Sequence, residues 1–530
     1  MYYFVPSWYR RSRTWLSYGQ IWFLNNGLVH FDFDDSINQI RMFKDEGKPV
    51  KILTLGYFPS IGNFLFRHNI LDAESDNIFD QMQGIPEDQV IRNVNYLDFN
   101  WPRDCAFVYN GFNILVYRED ELYARIRMGV TGNLIQIEFV RLGYKYRTMF
   151  FDWRGFLSSI LNYDAEGRFQ DRVFLNPEGE EVFRSNKDDT ITILPAGQAN
   201  FKQTRYDSMN EMIGEHLDRY LAKNLQPKDT FVIAASRRHD QFLLDRLKGR
   251  DCHKVISYYG HRTKFDDPHV FETARQADMV IADSNYISNL MKQNGVKHVL
   301  QLPPLDTNLS MGESDRERLL KVMFMVGGLP KEILTEAIHQ MFDVMESNKL
   351  VEINFTDYAG FDQFSMVKGL IEAELKKRDQ TSYQYYFLRS SQSLPEGLEA
   401  ATGSEEDEEE EKKRVRRINY VTIHSDNDLI KLLKPIRLIV DLSTRPEIFL
   451  QVVGISTGIP QINRVESAYV DNGKNGLQIG QVTELAGAMR YYLDGLNNWN
   501  RAKMYSVNKI NNYTGEKIVK ELEEAVRGTE

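Results

Sequence analysis

With 530 residues, 42% of them hydrophobic and 26% charged, the chain is too long for one core and has ample apolar area for two or three domains. A formal charge of −10 and an isoelectric point near 5.7 argue against a general nucleic-acid binder, which needs a basic field. Cys105 and Cys252 alone, far apart, exclude a disulfide framework and a cysteine-rich zinc site, which fits a reducing compartment.

The opening Met1-Tyr2-Tyr3-Phe4-Val5-Pro6 runs directly into Trp8-Tyr9-Arg10-Arg11. It offers neither the basic start nor the unbroken apolar stretch of a signal peptide, and no uncharged run reaches membrane-spanning length. The expectation is a cytoplasmic protein that touches a membrane, if at all, from that side. Trp8, Trp15 and Trp22 are interleaved with Arg10, Arg11 and Arg13. Aromatics beside arginines suit a partner surface or an anionic lipid headgroup layer, centred on Trp8, Arg10, Arg11, Arg13 and Trp15. The alternative is that part of this segment is the first core strand and its loop.

Asp34-Asp35-Ser36 can cap a helix bearing Ile37, Ile40 and Phe43 on one face, closed by Gly47. Val50 to Gly56 reads as a strand. From about residue 90 to 195 the period becomes two, as in Leu122 to Met128 and Leu134 to Val140. Arg172 to Leu175 and Glu181 to Arg184 flank the turn Asn176-Pro177-Glu178-Gly179. An antiparallel sheet inserted between α/β pieces is expected.

Strand and helix alternate again from about residue 205. Strands are predicted at Phe231–Ala235, Val255–Tyr258, Met279–Ala282 and Val299–Leu300, with helices near Gln241–Lys248, from Pro268, and from a cap at Asp283 or Ser284 to Asn294-Gly295. Short buried strands alternating with helices indicate a parallel sheet. A second series follows the polar stretch Asp306–Glu317: a strand at Val322–Val326, a helix at Lys331–Met345, then strands around Ile353, Tyr386, Val421 and Ile439. Seven acids at Glu405–Glu411 precede five bases around Val415 and read as a solvated loop. The division expected is a first Rossmann-like lobe (1–75 and 200–310), an inserted β domain (76–199) and a second lobe (318–500) with a disordered charged loop near 396–417. A C-terminal helix (501–530) is expected to cross back to the first lobe.

Three text blocks carry chemistry: Ser443-Thr444-Arg445-Pro446-Glu447-Ile448-Phe449, Gly458-Ile459-Pro460 and Asp471-Asn472-Gly473-Lys474-Asn475-Gly476-Leu477. Together with Lys321–Leu329 and Ala277–Met291, they resemble retaining GT-B glycosyltransferases, whose second domain carries a Glu-Pro pair, a second glutamate eight positions later, Gly-Thr-Pro and Asp-Gly-x-Asn-Gly. The resemblance implies two Rossmann-like lobes and a nucleotide-sugar cleft. One family glutamate meets the donor sugar, the other the ribose hydroxyls, and a basic pair meets the diphosphate. Carried onto this chain, the sugar position is Arg445 and the ribose position Val453. The strand arginine is Gly328, with Lys331 nearby at a different spacing, and Val465-Glu466-Ser467 replaces a glycine pair. The reading is a degenerate donor site (Gly328, Arg445, Val453, Glu466) with no catalytic residue, no cofactor and no metal. Glu447 or Glu466 could supply a shifted carboxylate.

The opening Met1–Tyr9 and Phe33–Phe43 narrow the resemblance to the glycosyltransferase-like accessory secretory (Asp) proteins of the accessory Sec system of Gram-positive bacteria. That family implies a non-catalytic role in exporting a serine-rich repeat glycoprotein adhesin. The implied partners are the two other accessory secretory proteins, the accessory SecA motor ATPase with its SecY channel, the adhesin and anionic lipid, and no nucleic acid. An active retaining UDP-sugar glycosyltransferase and a glycan- or peptide-binding subunit are the alternatives. Elsewhere, His261 follows a strand end where ligands gather in open sheets, and Arg237-Arg238-His239 precedes a helix N-terminus that could meet an anion. A surface or hydrogen-bonded histidine and a solvated loop are the plainer readings. No Walker loop, metal-spaced His/Glu set or nucleophile elbow is present.

Overall fold

A computed structural model describes residues 1–9, 15–16, 34–111, 113–129, 131–260, 262–304, 306, 311–358, 363–378, 387–389 and 414–529. Runs of β-branched and aromatic residues too short for a buried helix form the central strands of a seven-stranded sheet. Its spatial order is Val299–Gln301, Met279–Ala282, Cys252–Tyr258, Asp229–Ala234, Tyr2–Val5, Val50–Thr54 and Glu74–Asn77. Every neighbouring pair is parallel. The first helix, Asp35–Asp45, begins where Asp34 Oδ1 accepts from the amides of Ser36 (2.9 Å) and Ile37 (3.3 Å).

Between the third and fourth strands in chain order lies a ten-stranded antiparallel meander running from Cys105–Asn110 to Arg205–Tyr206. Its near end has no core of its own. Phe174, Val182, Phe183, Ile191 and Phe201 pack with Tyr57, Phe79, Leu217 and Tyr220 of the first lobe, and Phe174 stacks on Phe183 at 4.3 Å between ring centroids. The far end is held by a separate cluster of Ile114, Val116, Ala124, Ile126 and Ile137, covered by Val94, Tyr96, Phe99 and Trp101.

The second parallel sheet has six strands in the order Ile418–Ile423, Val351–Tyr358, Leu320–Met325, Ile436–Asp441, Gln461–Asn463 and Gly476–Gln478. Two expectations in this lobe need correction. The strand expected near Tyr386 is Phe387–Arg389, and it joins Arg414–Arg416 in a separate antiparallel ribbon, not the parallel sheet. Arg417, expected in the solvated charged loop, is fully buried. Its Nε donates to the Val351 carbonyl (3.0 Å) and its Nη2 to those of Met345 (3.0 Å) and Asn348 (3.1 Å). Residues 396–413 of that loop lie outside the described residues.

The chain end forms two helices. Leu496–Ile510 packs on the second lobe, where Trp499 Nε1 donates to the Arg437 carbonyl at 2.9 Å. Gly515–Arg527 lies on the first lobe, with Ile518, Val519, Leu522 and Val526 against Ile37, Ile40 and Phe43, and Lys48 Nζ 2.8 Å from Glu523.

Candidate functional site

Because every strand of the seven-stranded and six-stranded sheets is parallel, each sheet gathers its strand-to-helix loops at its carboxyl edge. The two edges meet where the Met279–Ala282 strand ends in Asp283 and the Ile436–Asp441 strand ends in Asp441. The Tyr469 hydroxyl donates to the Asp283 carbonyl at 2.6 Å, a buried bond between the lobes. Beside it, Arg445 Nη2 donates to the Tyr286 hydroxyl at 3.1 Å, with the guanidinium carbon 4.9 Å from the Tyr286 ring centroid.

Asp441 shapes the loop that carries Arg445. Its Oδ1 accepts from the Ser443 amide (3.0 Å) and hydroxyl (2.6 Å), and its Oδ2 from the Glu447 amide (3.2 Å). Glu447 then opens the helix Ile448–Thr457 without a side-chain cap. Burial, then the Asp441 charge, pushes the Glu447 carboxyl up to about 7. Burial likewise raises Asp283 to about 6 and lifts Asp441. Three carboxyl groups that resist ionisation are thus gathered where the two edges meet, Glu447 beside both Asp441 and Asp283.

The expected donor-site residues are only partly brought together. Gly328 (φ +71°) is exposed at the exit of the Leu320–Met325 strand, and Glu466 is exposed after Gln461–Asn463, both on the carboxyl edge that carries Arg445. Val453 lies further along the helix that Glu447 opens. It is 7% exposed, inside the Ile448–Thr457 helix, in a cluster with Phe449, Tyr469 and Ile510.

The aromatic half of the expected partner or lipid surface is overturned. Trp8 and Trp15 are 8% and 3% exposed. Trp8 Nε1 donates to Asp34 Oδ1 at 3.2 Å, Trp15 Nε1 bonds Asn210, and the Trp15 carbonyl accepts from the Tyr57 amide at 2.7 Å. An indole with its N–H satisfied inside a core is an anchor for the lobe, not a surface. Arg10, Arg11 and Arg13 lie outside the described residues, as does His261.

The Arg237-Arg238-His239 loop is satisfied by protein. Arg237 pairs with Asp267 at 2.7 Å, and Asp240 receives the Ser236 amide on both oxygens at 2.8 Å. Buried His239 meets the Ala234 carbonyl (2.9 Å) and the Tyr9 hydroxyl (3.0 Å), and burial lowers its pKa to about 4. Sequence reasoning missed Asp283 and Asp441 as a pair. Their signal was Ile281-Ala282-Asp283 and Ile439-Val440-Asp441, two apolar strands each closed by an aspartate. Among the described residues no group of three or more His, Cys, Asp or Glu side chains is placed to hold a metal ion.

The family model of accessory secretory protein 1 of the accessory Sec system matches residues 1–529. The chain belongs to the accessory secretory protein 1 family. The member from Streptococcus gordonii is 31% identical over 538 aligned positions, covering 99% of this chain and 98% of its own. The solved structure of accessory secretory protein 1, 2 and 3 from Streptococcus pneumoniae aligns with 28% identity and a TM-score of 0.78, over 100% of this chain and 99% of that one. The pneumococcal O-GlcNAc transferase GtfA, solved with UDP and GlcNAc, aligns with a TM-score of 0.66 over 100% of this chain and 98% of its own, at 11% identity. This accessory Sec family chain thus has the GT-B glycosyltransferase fold with an inserted antiparallel sheet. Among its described residues no helix is long and apolar enough to cross a membrane.

Proposed function

We propose that this member of the accessory secretory protein family is a non-catalytic subunit, built on a glycosyltransferase scaffold, that assembles with two other accessory secretory proteins on the cytoplasmic side of the membrane. Its role is to deliver a serine-rich repeat glycoprotein adhesin to the accessory SecA motor. The observation that carries the non-catalytic part is at the donor-site positions. We read Val453, packed in an apolar cluster, as the counterpart of the ribose-binding glutamate of a retaining GT-B enzyme. We read Arg445, engaged with Tyr286 of the opposite lobe, as the counterpart of the sugar-side glutamate. A valine accepts no hydrogen bond, and a ribose hydroxyl left unpaired costs about 1–3 kcal/mol. Gly328 and Glu466 stand where a phosphate-binding arginine and a glycine pair are expected, and neither replaces those groups. The subunit reading draws on the family, whose pneumococcal relative was solved with accessory secretory proteins 2 and 3.

Deleting the gene should leave glycosylated adhesin inside the cell. Adhesin exported without its glycan would instead support an enzyme. One observation favours that second reading. Glu447, with its carboxyl pushed up to about 7, lies near Asp441 of its own lobe and Asp283 of the other, in the range of a general acid.

A further inference from the structure

We propose that the free edge of the inserted sheet, the strand Cys105–Asn110, takes up an extended strand from another protein subunit. The inference rests on the subunit reading above and names where one partner docks. The ten-stranded meander has two ends. One end strand, Arg205–Tyr206, is two residues long and anchors Tyr206 in the first lobe's core. The other, Cys105–Asn110, pairs on one side only, with Asn113–Arg118.

The register states which backbone groups are free. Asn110 and Asn113 close a two-residue turn, so they exchange both hydrogen bonds, and the pattern alternates from there. Asn110, Val108 and Ala106 therefore point their amides and carbonyls inward, while Tyr109, Phe107 and Cys105 point theirs out. The Cys105 amide bears this out, since it donates to the Pro102 carbonyl at 3.1 Å, not to the neighbouring strand. Among the described residues no group meets the amides of Phe107 and Tyr109.

Isolated domains normally protect such an edge with lysine, proline or a bulge. Cys105-Ala106-Phe107-Val108-Tyr109-Asn110 contains neither residue, and its register with the next strand is unbroken. The side chains beside it are apolar and open. Val108 is 48% and Tyr109 66% exposed, and Leu97 is exposed next to Tyr96, whose hydroxyl lies 2.9 Å from that of Tyr109. Unmet amides at every second residue call for a β-strand, and an apolar margin calls for one with apolar side chains at alternate positions. Another subunit is the favoured source because the pneumococcal relative was solved together with two different proteins.

The test uses the full chain co-expressed with the two other accessory secretory proteins. Hydrogen exchange at Phe107 and Tyr109 should slow at least tenfold in the complex. Tyr109→Pro removes an outward amide and no bond of the meander, so it should weaken assembly roughly tenfold beyond Tyr109→Ala, which keeps the amide. The melting temperature of the isolated chain should stay about level between the two variants. Equal assembly by the two variants, or free exchange at Phe107 and Tyr109 in an intact complex, would overturn the inference alone. So would a homodimer of the isolated chain that protects the same amides. A wild-type chain that joins neither protein would overturn the subunit reading, and this inference with it.

Discussion

Glu447 is a carboxyl group held at about 7 by burial and by Asp441, well above its ordinary value of 4.5. The folded chain therefore binds more protons at this site than the unfolded chain between pH 4.5 and 7, and the contribution to stability falls as pH rises through that window. Glu447→Gln should raise the melting temperature at pH 8, by a gain on the order of 1 kcal/mol, and leave it nearly unchanged at about pH 4.5. Thermal melts at the two pH values check this, and an equal shift at both would contradict the assigned cause. Arg417 poses the opposite case. Its guanidinium serves three carbonyls in a dry site, so Arg417→Met should destabilise by about 3 kcal/mol in a urea melt. Val453→Glu would place a carboxylate in the cluster around Phe449 and Ile510 and should lower stability by about 3 kcal/mol. Restoring both glutamates, at 445 and 453, should therefore yield a weaker fold and no transferase.

At the scale of elements, local chemistry was legible wherever it acts within one turn or one strand. Asp34 and Ser284 cap the helices their positions suggest, and Gly179 (φ +85°) occupies the turn that Asn176-Pro177-Glu178-Gly179 requires. What depends on distant partners was not legible. Arg417 looks like the last base of a charged run, and only the carbonyls of Met345, Asn348 and Val351, more than sixty residues away, make it a core residue. Trp8 and Trp15 look like a surface because arginines surround them in sequence, yet Asp34 and Asn210 draw both indoles inward. In the site, the spacing suggests Arg445 and Val453 as the donor-glutamate positions, whereas the Arg445–Tyr286 and Tyr469–Asp283 contacts span the two lobes and leave no periodic trace. The Gly515–Arg527 helix makes the same point about tertiary packing. Leu522 fills the space beside Ile37, Ile40 and Phe43, so Leu522→Ala should cost about 2–5 kcal/mol and loosen the first lobe, read as faster amide exchange in Asp35–Asp45.

At the scale of the whole molecule, two parallel sheets face each other as in a glycosyltransferase, and the residues at the meeting edges bind the lobes to one another. Arg445 is turned to Tyr286 and Tyr469 to the Asp283 carbonyl. On the proposed reading, the scaffold offers its long outer sheet to partners and a cleft lacking the groups that activate a nucleotide sugar. The most direct measurement is turnover of a labelled UDP-sugar by the purified chain, assembled with the other two accessory secretory proteins and offered a serine-rich repeat peptide. The account predicts release and transfer no faster than the uncatalysed background, unchanged in Glu447→Gln. Turnover above background that disappears in Glu447→Gln would show a relocated carboxylate at work and contradict it.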